Sequence, residues 1–199
     1  MKRIFLTGPI GCGKSTLIKN VLGDSLDVAG GFLTKRIPEQ GELEGFDIVS
    51  PAVCEDPRRS SGVRFLTFCK DGAKRNNDAF SGFAAGLIRE AIEKPFAVID
   101  EIGGYELLIP EFMEAFEEFL ASPVPCLGVL KALPSSEKLS ETIGLSTEYL
   151  KVAQRFHLRL LAEAETEILE TFGRGDENTR RRLKHWKEKY ATTKRDISI

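Results

Sequence analysis

The sequence predicts an α/β fold: a mainly parallel sheet covered by helices on both faces, a three-layer sandwich, with an antiparallel hairpin added to it. Three observations point there. Near the amino end a short apolar run enters a glycine-rich loop, and a helical pattern leaves it. Through the middle of the chain, apolar runs of strand length alternate with amphipathic helical stretches, as strands with helical crossovers require. Between these regions lie two strand-like segments joined by a turn.

Arg3-Ile4-Phe5-Leu6-Thr7 is apolar enough for a buried parallel strand. It runs into Gly8-Pro9-Ile10-Gly11-Cys12-Gly13-Lys14-Ser15-Thr16, which satisfies G-x-x-x-x-G-K-[ST] at every specified position. Glycines in such a loop open backbone conformations closed to other residues, so that successive N–H groups converge on phosphate oxygens. All nine residues are therefore expected to contact nucleotide, Lys14 reaching the β- and γ-phosphates and Ser15 offering its hydroxyl to Mg²⁺. Ser15 to Leu22 carries apolar residues at helical spacing before Gly23, which turns the positive end of a helix toward the phosphates.

Residues 28–36 and 43–49 read as two strands joined at Pro38-Glu39-Gln40-Gly41, and Arg64 to Phe68 can extend the same sheet. Pro57 to Gly62 is a loop by composition. Lys70 to Asp78, polar and glycine-bearing, is expected to be a solvated loop leading into a helix from about Ala79 to Glu93. Pro95-Phe96-Ala97-Val98-Ile99-Asp100-Glu101 is an apolar strand ending in two acids. Opposite a phosphate loop, such a strand end places a carboxylate beside the metal, so Asp100 is the expected Mg²⁺ residue and Glu101 the residue that orients or deprotonates water.

Pro110 to Leu120 predicts a helix whose phenylalanines face the core, and Val124 to Leu130 another buried strand ending at Lys131. Ser136 to about Ala153 predicts a helix interrupted at Gly144. Arg155 to Leu160 alternates as a last strand would, with a helix continuing through Phe172 as the alternative reading. Asp176 to Tyr190 predicts a basic helix with Leu183, Trp186 and Tyr190 on one stripe.

A chain of 199 residues with 42% hydrophobic and 29% charged content suits a soluble domain with at most an appendage. No apolar stretch approaches the ~20 residues of a membrane span, so a cytoplasmic protein without membrane partners is expected. A net charge of −2 argues against a surface built as a whole for nucleic acid, although Arg174 to Arg195 is basic. Cys12, Cys54, Cys69 and Cys126 form no metal-binding pair or disulfide framework, and Cys12 alone lies where a helix end and Lys14 could activate a thiol. His157 and His185 have no catalytic partner in the sequence and are read as structural or exposed.

Four stretches together resemble the small nucleoside-triphosphatase family of P-loop proteins, the cancer-related and thermophile-type NTPases. They are the loop from Gly8 to Ser15, Gly31-Phe32-Leu33-Thr34, Gly45-Phe46-Asp47-Ile48, and Asp100-Glu101-Ile102-Gly103-Gly104-Tyr105-Glu106-Leu107. The resemblance extends over roughly residues 3–130. It implies a RecA-like sheet and Mg²⁺-dependent hydrolysis of ATP, GTP or another nucleoside triphosphate to the diphosphate, with Glu101 at the acidic position after the metal-binding aspartate. Lys131 stands where the family commonly has a His-Arg pair. Residues 1–173 are thus expected to form the P-loop NTPase domain of a monomer, and residues 174–199 a basic helical C-terminal extension.

Two other functions fit the same residues. A nucleotide or small-molecule kinase would share the loop and Asp100 but pass the phosphoryl group to an acceptor. A nucleotide-dependent binding module would use the basic residues from Arg180 to Lys189 on nucleic acid or an acidic protein, against which stands a packed helix with a solvated basic face. Arg36, Arg75 and Lys131 are candidates for an additional cation acting on the γ-phosphate.

Overall fold

A computed structural model describes residues 1–39, 42–53, 62–70, 72–173 and 175–191. The centre of the hairpin turn, most of the loop from Pro57, and Cys54 lie outside the described residues.

Strands β1 (Arg3–Thr7), β6 (Ala97–Ile102), β7 (Cys126–Leu130) and β8 (Thr166–Glu170) run parallel, joined on one side by β2 (Gly30–Glu39). Beyond β2 the sheet turns antiparallel through β3 (Glu42–Val49), β4 (Val63–Cys69) and β5 (Gly72–Arg75). The spatial order is β5-β4-β3-β2-β6-β7-β1-β8. Strand β7 thus separates the strand that feeds the glycine-rich loop from the strand that ends in the acidic pair.

Alternate residues of each parallel strand enter different cores, because successive side chains of a strand point to opposite faces. Ile4, Leu6, Val98 and Leu127 pack with helices α1 (Lys14–Leu22) and α6 (Glu177–Tyr190). Phe5, Ile99 and Cys126 pack on the other face with α2 (Ala85–Ala91, entered through a π-helical turn over Ala79–Ala84), α3 (Pro110–Ala121) and α5 (Thr147–Ala162). Phe112, Phe116 and Phe119 are fully buried there, as the pattern of α3 predicts. A side chain at Gly128 would meet the Phe5 ring at 2.5 Å, so the small residue in β7 makes the space that the large residue in β1 fills.

Two elements differ from the sequence reading. The stretch Lys70–Asp78 is not wholly a loop: it contains β5, an edge strand whose exposed Lys74 and Arg75 guard the open side of the sheet. Arg155–Leu160 is helical, part of α5, and that helix ends at Ala162 rather than running through Phe172. Its buried residues, Tyr149, Ala153, Phe156 and Leu160, repeat at helical intervals, while Leu158 and Leu161 are exposed at 60% and 62%. The last strand is β8, which flanks β1 at the other edge. The interruption at Gly144 is a helix end: α4 (Leu133–Ile143) stops there on a left-handed residue, φ 64°, and α5 begins after it.

The basic C-terminal segment supplies α6, whose Leu183 and Trp186 are buried against α1 and Phe96. The Trp186 indole N–H donates to the Lys2 carbonyl at 2.9 Å, and Asp176 caps the helix by accepting from the Thr179 N–H at 2.9 Å. No helix among the described residues is long and apolar enough to cross a membrane. Trp186→Ala is expected to lower the unfolding free energy by about 3–5 kcal/mol, read as a lower urea midpoint at unchanged slope.

Candidate functional site

The glycine-rich loop sits at the carboxyl end of β1, where ligands of open α/β sheets bind. Gly8, Gly11 and Gly13 all have positive φ, at 141°, 76° and 101°. Gly8 is also fixed by space: a Cβ there would lie 2.2 Å from the Thr171 carbonyl oxygen, in the segment that leaves β8. Cys12 meets that segment too, its Sγ 3.8 Å from the same oxygen.

Lys14 is buried, and its ammonium folds back over the loop to donate to the carbonyls of Gly8 at 2.9 Å and Pro9 at 2.7 Å. Cys12 Sγ lies 3.9 Å from the same nitrogen. Pro9 and Ile10 form the exposed crest of the loop, with Ile10 55% exposed. Ser15 stands in the first turn of α1 and donates its hydroxyl to Asp100 Oδ1 at 2.7 Å. Thr16 follows it, half-buried.

Asp100 is 1% exposed. Its second oxygen accepts from Thr34, from the hydroxyl at 2.8 Å and from the N–H at 3.2 Å. Burial pushes this carboxyl above the ordinary aspartate range and the neighbouring Glu101 charge adds to that, while the Ser15 and Thr34 hydrogen bonds pull it back. The donor set is two oxygens, a hydroxyl and a carboxylate, which is the hard-ligand chemistry that suits Mg²⁺ held jointly with substrate phosphates.

The acidic pair sits on a bulge. Ile99 pairs with Gly128 and Ile102 with Leu130, so Asp100 and Glu101 together stand opposite Val129. Two successive strand residues would otherwise point to opposite faces, and a bulge re-aims one of them. The backbone at Glu101 carries the turn: φ is 57°, the one positive value on a non-glycine among the described residues. Such a conformation costs on the order of 1–3 kcal/mol and persists only where its surroundings hold it.

Those surroundings are well defined. The Glu106 carboxylate accepts from the N–H groups of Gly103 at 2.6 Å and Gly104 at 2.7 Å. The Tyr149 hydroxyl donates to the Gly103 carbonyl at 2.8 Å, and the Lys131 N–H to the Ile102 carbonyl at 2.8 Å. Lys131 Nζ lies 3.9 Å from Glu101. His157 Nε2 donates to the Lys131 carbonyl at 2.8 Å, and burial lowers the pKa of this imidazole, favouring its neutral form. His185 is exposed, 3.8 Å from Glu188.

Of the three cations singled out from the sequence, Lys131 faces Glu101 and Arg36 lines the same cleft, whereas Arg75 lies over the Tyr105 ring. Thr34, Glu106, Tyr149 and His157 were given no part in the site by sequence reasoning. Thr34 and Glu106 do fall inside two of the four stretches that carry the family resemblance, which is the signal that marks them.

A family model described as NTPase matches residues 3–163. The chain belongs to that NTPase family. It is a nucleoside-triphosphatase built on a phosphate loop. Among its relatives, a nucleoside-triphosphatase THEP1 from Thermococcus kodakarensis is 35% identical over 156 residues, 73% of this chain and 86% of that protein. A cancer-related nucleoside-triphosphatase homolog from the mouse is 33% identical over 134 residues, 61% of this chain and 70% of that protein. The solution structure of a human cancer-related nucleoside triphosphatase shares the fold of this family member, with a TM-score of 0.56 at 23% identity, covering 92% of this chain and 94% of that one.

Glu106 gives a stability signature. Burial raises its carboxyl above the ordinary range despite the two amides and Lys131, so just above that range the folded state holds a proton that the unfolded chain has lost. The resulting contribution is complete in acid and is lost as pH rises through the folded value. Glu106→Gln, which keeps an acceptor for both amides, is expected to flatten that decline in urea unfolding measured from pH 4 to 8.

Proposed function

We propose that this NTPase hydrolyses nucleoside 5′-triphosphates by in-line attack of water on the γ-phosphorus, with Mg²⁺ held between Ser15 and Asp100. The observation that carries the reading is the 2.7 Å contact between the Ser15 hydroxyl and the Asp100 carboxylate. It joins the start of the loop helix to the end of a strand two positions away in the sheet, so loop and acid serve one ligand.

Residues 8–16 form the cradle. The loop N–H groups and Lys14 bind the β- and γ-phosphate oxygens, and Lys14 exchanges the carbonyls of Gly8 and Pro9 for those oxygens as the triphosphate enters. Bound Mg²⁺ supplies charge neutralisation on the phosphate oxygens. Thr34 holds Asp100 so that one of its oxygens faces Ser15.

Glu101 is the water-directing residue. Its bulged, left-handed backbone brings the carboxylate to the mouth of the strand beside Asp100, where it accepts a proton from the attacking water. Lys131, just past the end of the strand inserted between the two functional ones, holds that carboxylate in place. The charge that develops on the γ-phosphoryl group meets fixed amides and Lys14, which is where most of the rate enhancement arises.

Lys14→Ala is expected to weaken triphosphate binding by at least about 100-fold, measured with a fluorescent nucleotide analogue. Glu101→Gln is expected to bind triphosphate as the parent does while phosphate release falls by about 10²–10⁴, the usual contribution of a general base. Unimpaired turnover by Glu101→Gln would remove the assigned role, and phosphate release only on addition of an acceptor would replace hydrolysis with phosphoryl transfer.

A further inference from the structure

Past Glu101 the site opens into a cavity of about 200 Å³. Of the glycine-rich loop, only Ile10 borders it among the described residues. The antiparallel part of the sheet forms one wall and α4 the other, with Glu101 and Lys131 at the end nearest the phosphate cradle.

The sheet wall is aromatic. Phe46 and Phe65 stack with centroids 6.0 Å apart, Phe65 meets Phe80 edge-on at 5.1 Å, and Phe80 meets Tyr105 edge-on at 5.3 Å. Each ring is held by the next, so the wall is preformed. Phe46, Phe65 and Phe68 are nevertheless only partly buried, which leaves some apolar ring surface facing water. An aromatic ring laid on that surface would bury it and stack in offset or edge-on geometry.

The polar groups of the cavity set the charge of the occupant. Arg36 lies 5.8 Å from the centre of the Phe46 ring, Lys131 stands at the inner end, and exposed Lys138 projects from α4. Two acids also border the space, but neither offers an unmatched negative charge: Glu101 is partnered by Lys131, and Glu106 is turned to the Gly103 and Gly104 amides. With Lys131 and Glu101 cancelling each other, Arg36 and Lys138 remain against Glu106, whose carboxylate is committed to two amides. This balance favours an anion, and the volume suits one or two fused rings rather than a peptide or a nucleic acid strand.

We propose that this cavity binds a small planar aromatic anion, its ring against Phe46 and Phe65 and its charge toward Arg36 and Lys138, as a second ligand beside the triphosphate. Only the word second rests on the triphosphatase reading, since the cavity and its charges stand without it.

The test is a ¹H–¹⁵N NMR titration of the full chain with 2-naphthoate and, in parallel, with its uncharged counterpart 2-naphthamide. Naphthoate is expected to give saturable shifts at Phe46, Phe65, Gly104 and Lys138 and to bind about tenfold more tightly than the amide, the worth of a charge-assisted contact. Lys138→Ala is expected to cut that preference severalfold. Thr142→Trp, which adds an indole at an exposed position of the α4 wall, is expected to abolish binding of both probes while phosphate release stays unchanged. Equal affinity for the two probes, shifts centred on residues 8–15, or undiminished binding in Thr142→Trp would each overturn the proposal. Naphthoate binding retained in Lys14→Ala separates this cavity from the cradle, so either assignment can fail without the other.

Discussion

The arrangement depends on one buried carboxylate. Asp100 gives up nearly all of its hydration, which in a protein interior is tolerable only where hydrogen bonds replace the lost water. Three donors do so here: the Ser15 hydroxyl from α1, and the Thr34 hydroxyl and N–H from β2. Because the donors come from elements on either side of β6 and β7 in the sheet, satisfying this one group fixes the relative position of the loop helix and of the antiparallel extension. A change that misplaced either would leave a charge buried with too few partners, and the cost of that exceeds the net value of the bonds themselves.

The second constraint is geometric. A regular strand would send Asp100 and Glu101 to opposite faces of the sheet, burying one of them in the helix layer. The bulge opposite Val129 and the left-handed backbone at Glu101 remove that conflict, and the bonds from Glu106, Tyr149 and Lys131 hold the strained segment in place. Glu106, Tyr149 and His157 need not touch substrate to matter: they place Glu101 and Lys131. Sites of this kind are as accurate as the residues that support them.

Much of this was legible in the residues themselves. Motif and context together identify the loop from Gly8 to Thr16, since the glycines, the lysine and the hydroxyl residue have chemical work that few substitutes perform. Strand β6 announces itself through an apolar run that stops on two acids. The C-terminal third was harder. Helix α5 hides its period because Leu158 and Leu161 are exposed apolar residues outside the buried stripe, and Leu158 imitates alternation with Phe156 and Leu160. Strand β8 is short, lies at an edge, and carries glutamates at positions that a central strand would fill with apolar groups. Strand β5 escaped for the same reason, since charges that protect an edge read as a loop. The bulge, and with it the aim of Glu101, leaves no trace in composition at all.

The position of β1 has a consequence for how the molecule is made. The phosphate loop precedes β7 and β8 in the chain, yet β1 is flanked by both, and Gly8 and Cys12 rest against residues that follow β8. Asp176 ties those residues to the cap of the final helix through the Thr171 hydroxyl at 3.0 Å. The loop therefore gains its supporting contacts only after β7, β8 and the segment that follows them have been made, which ties completion of the cradle to completion of the sheet.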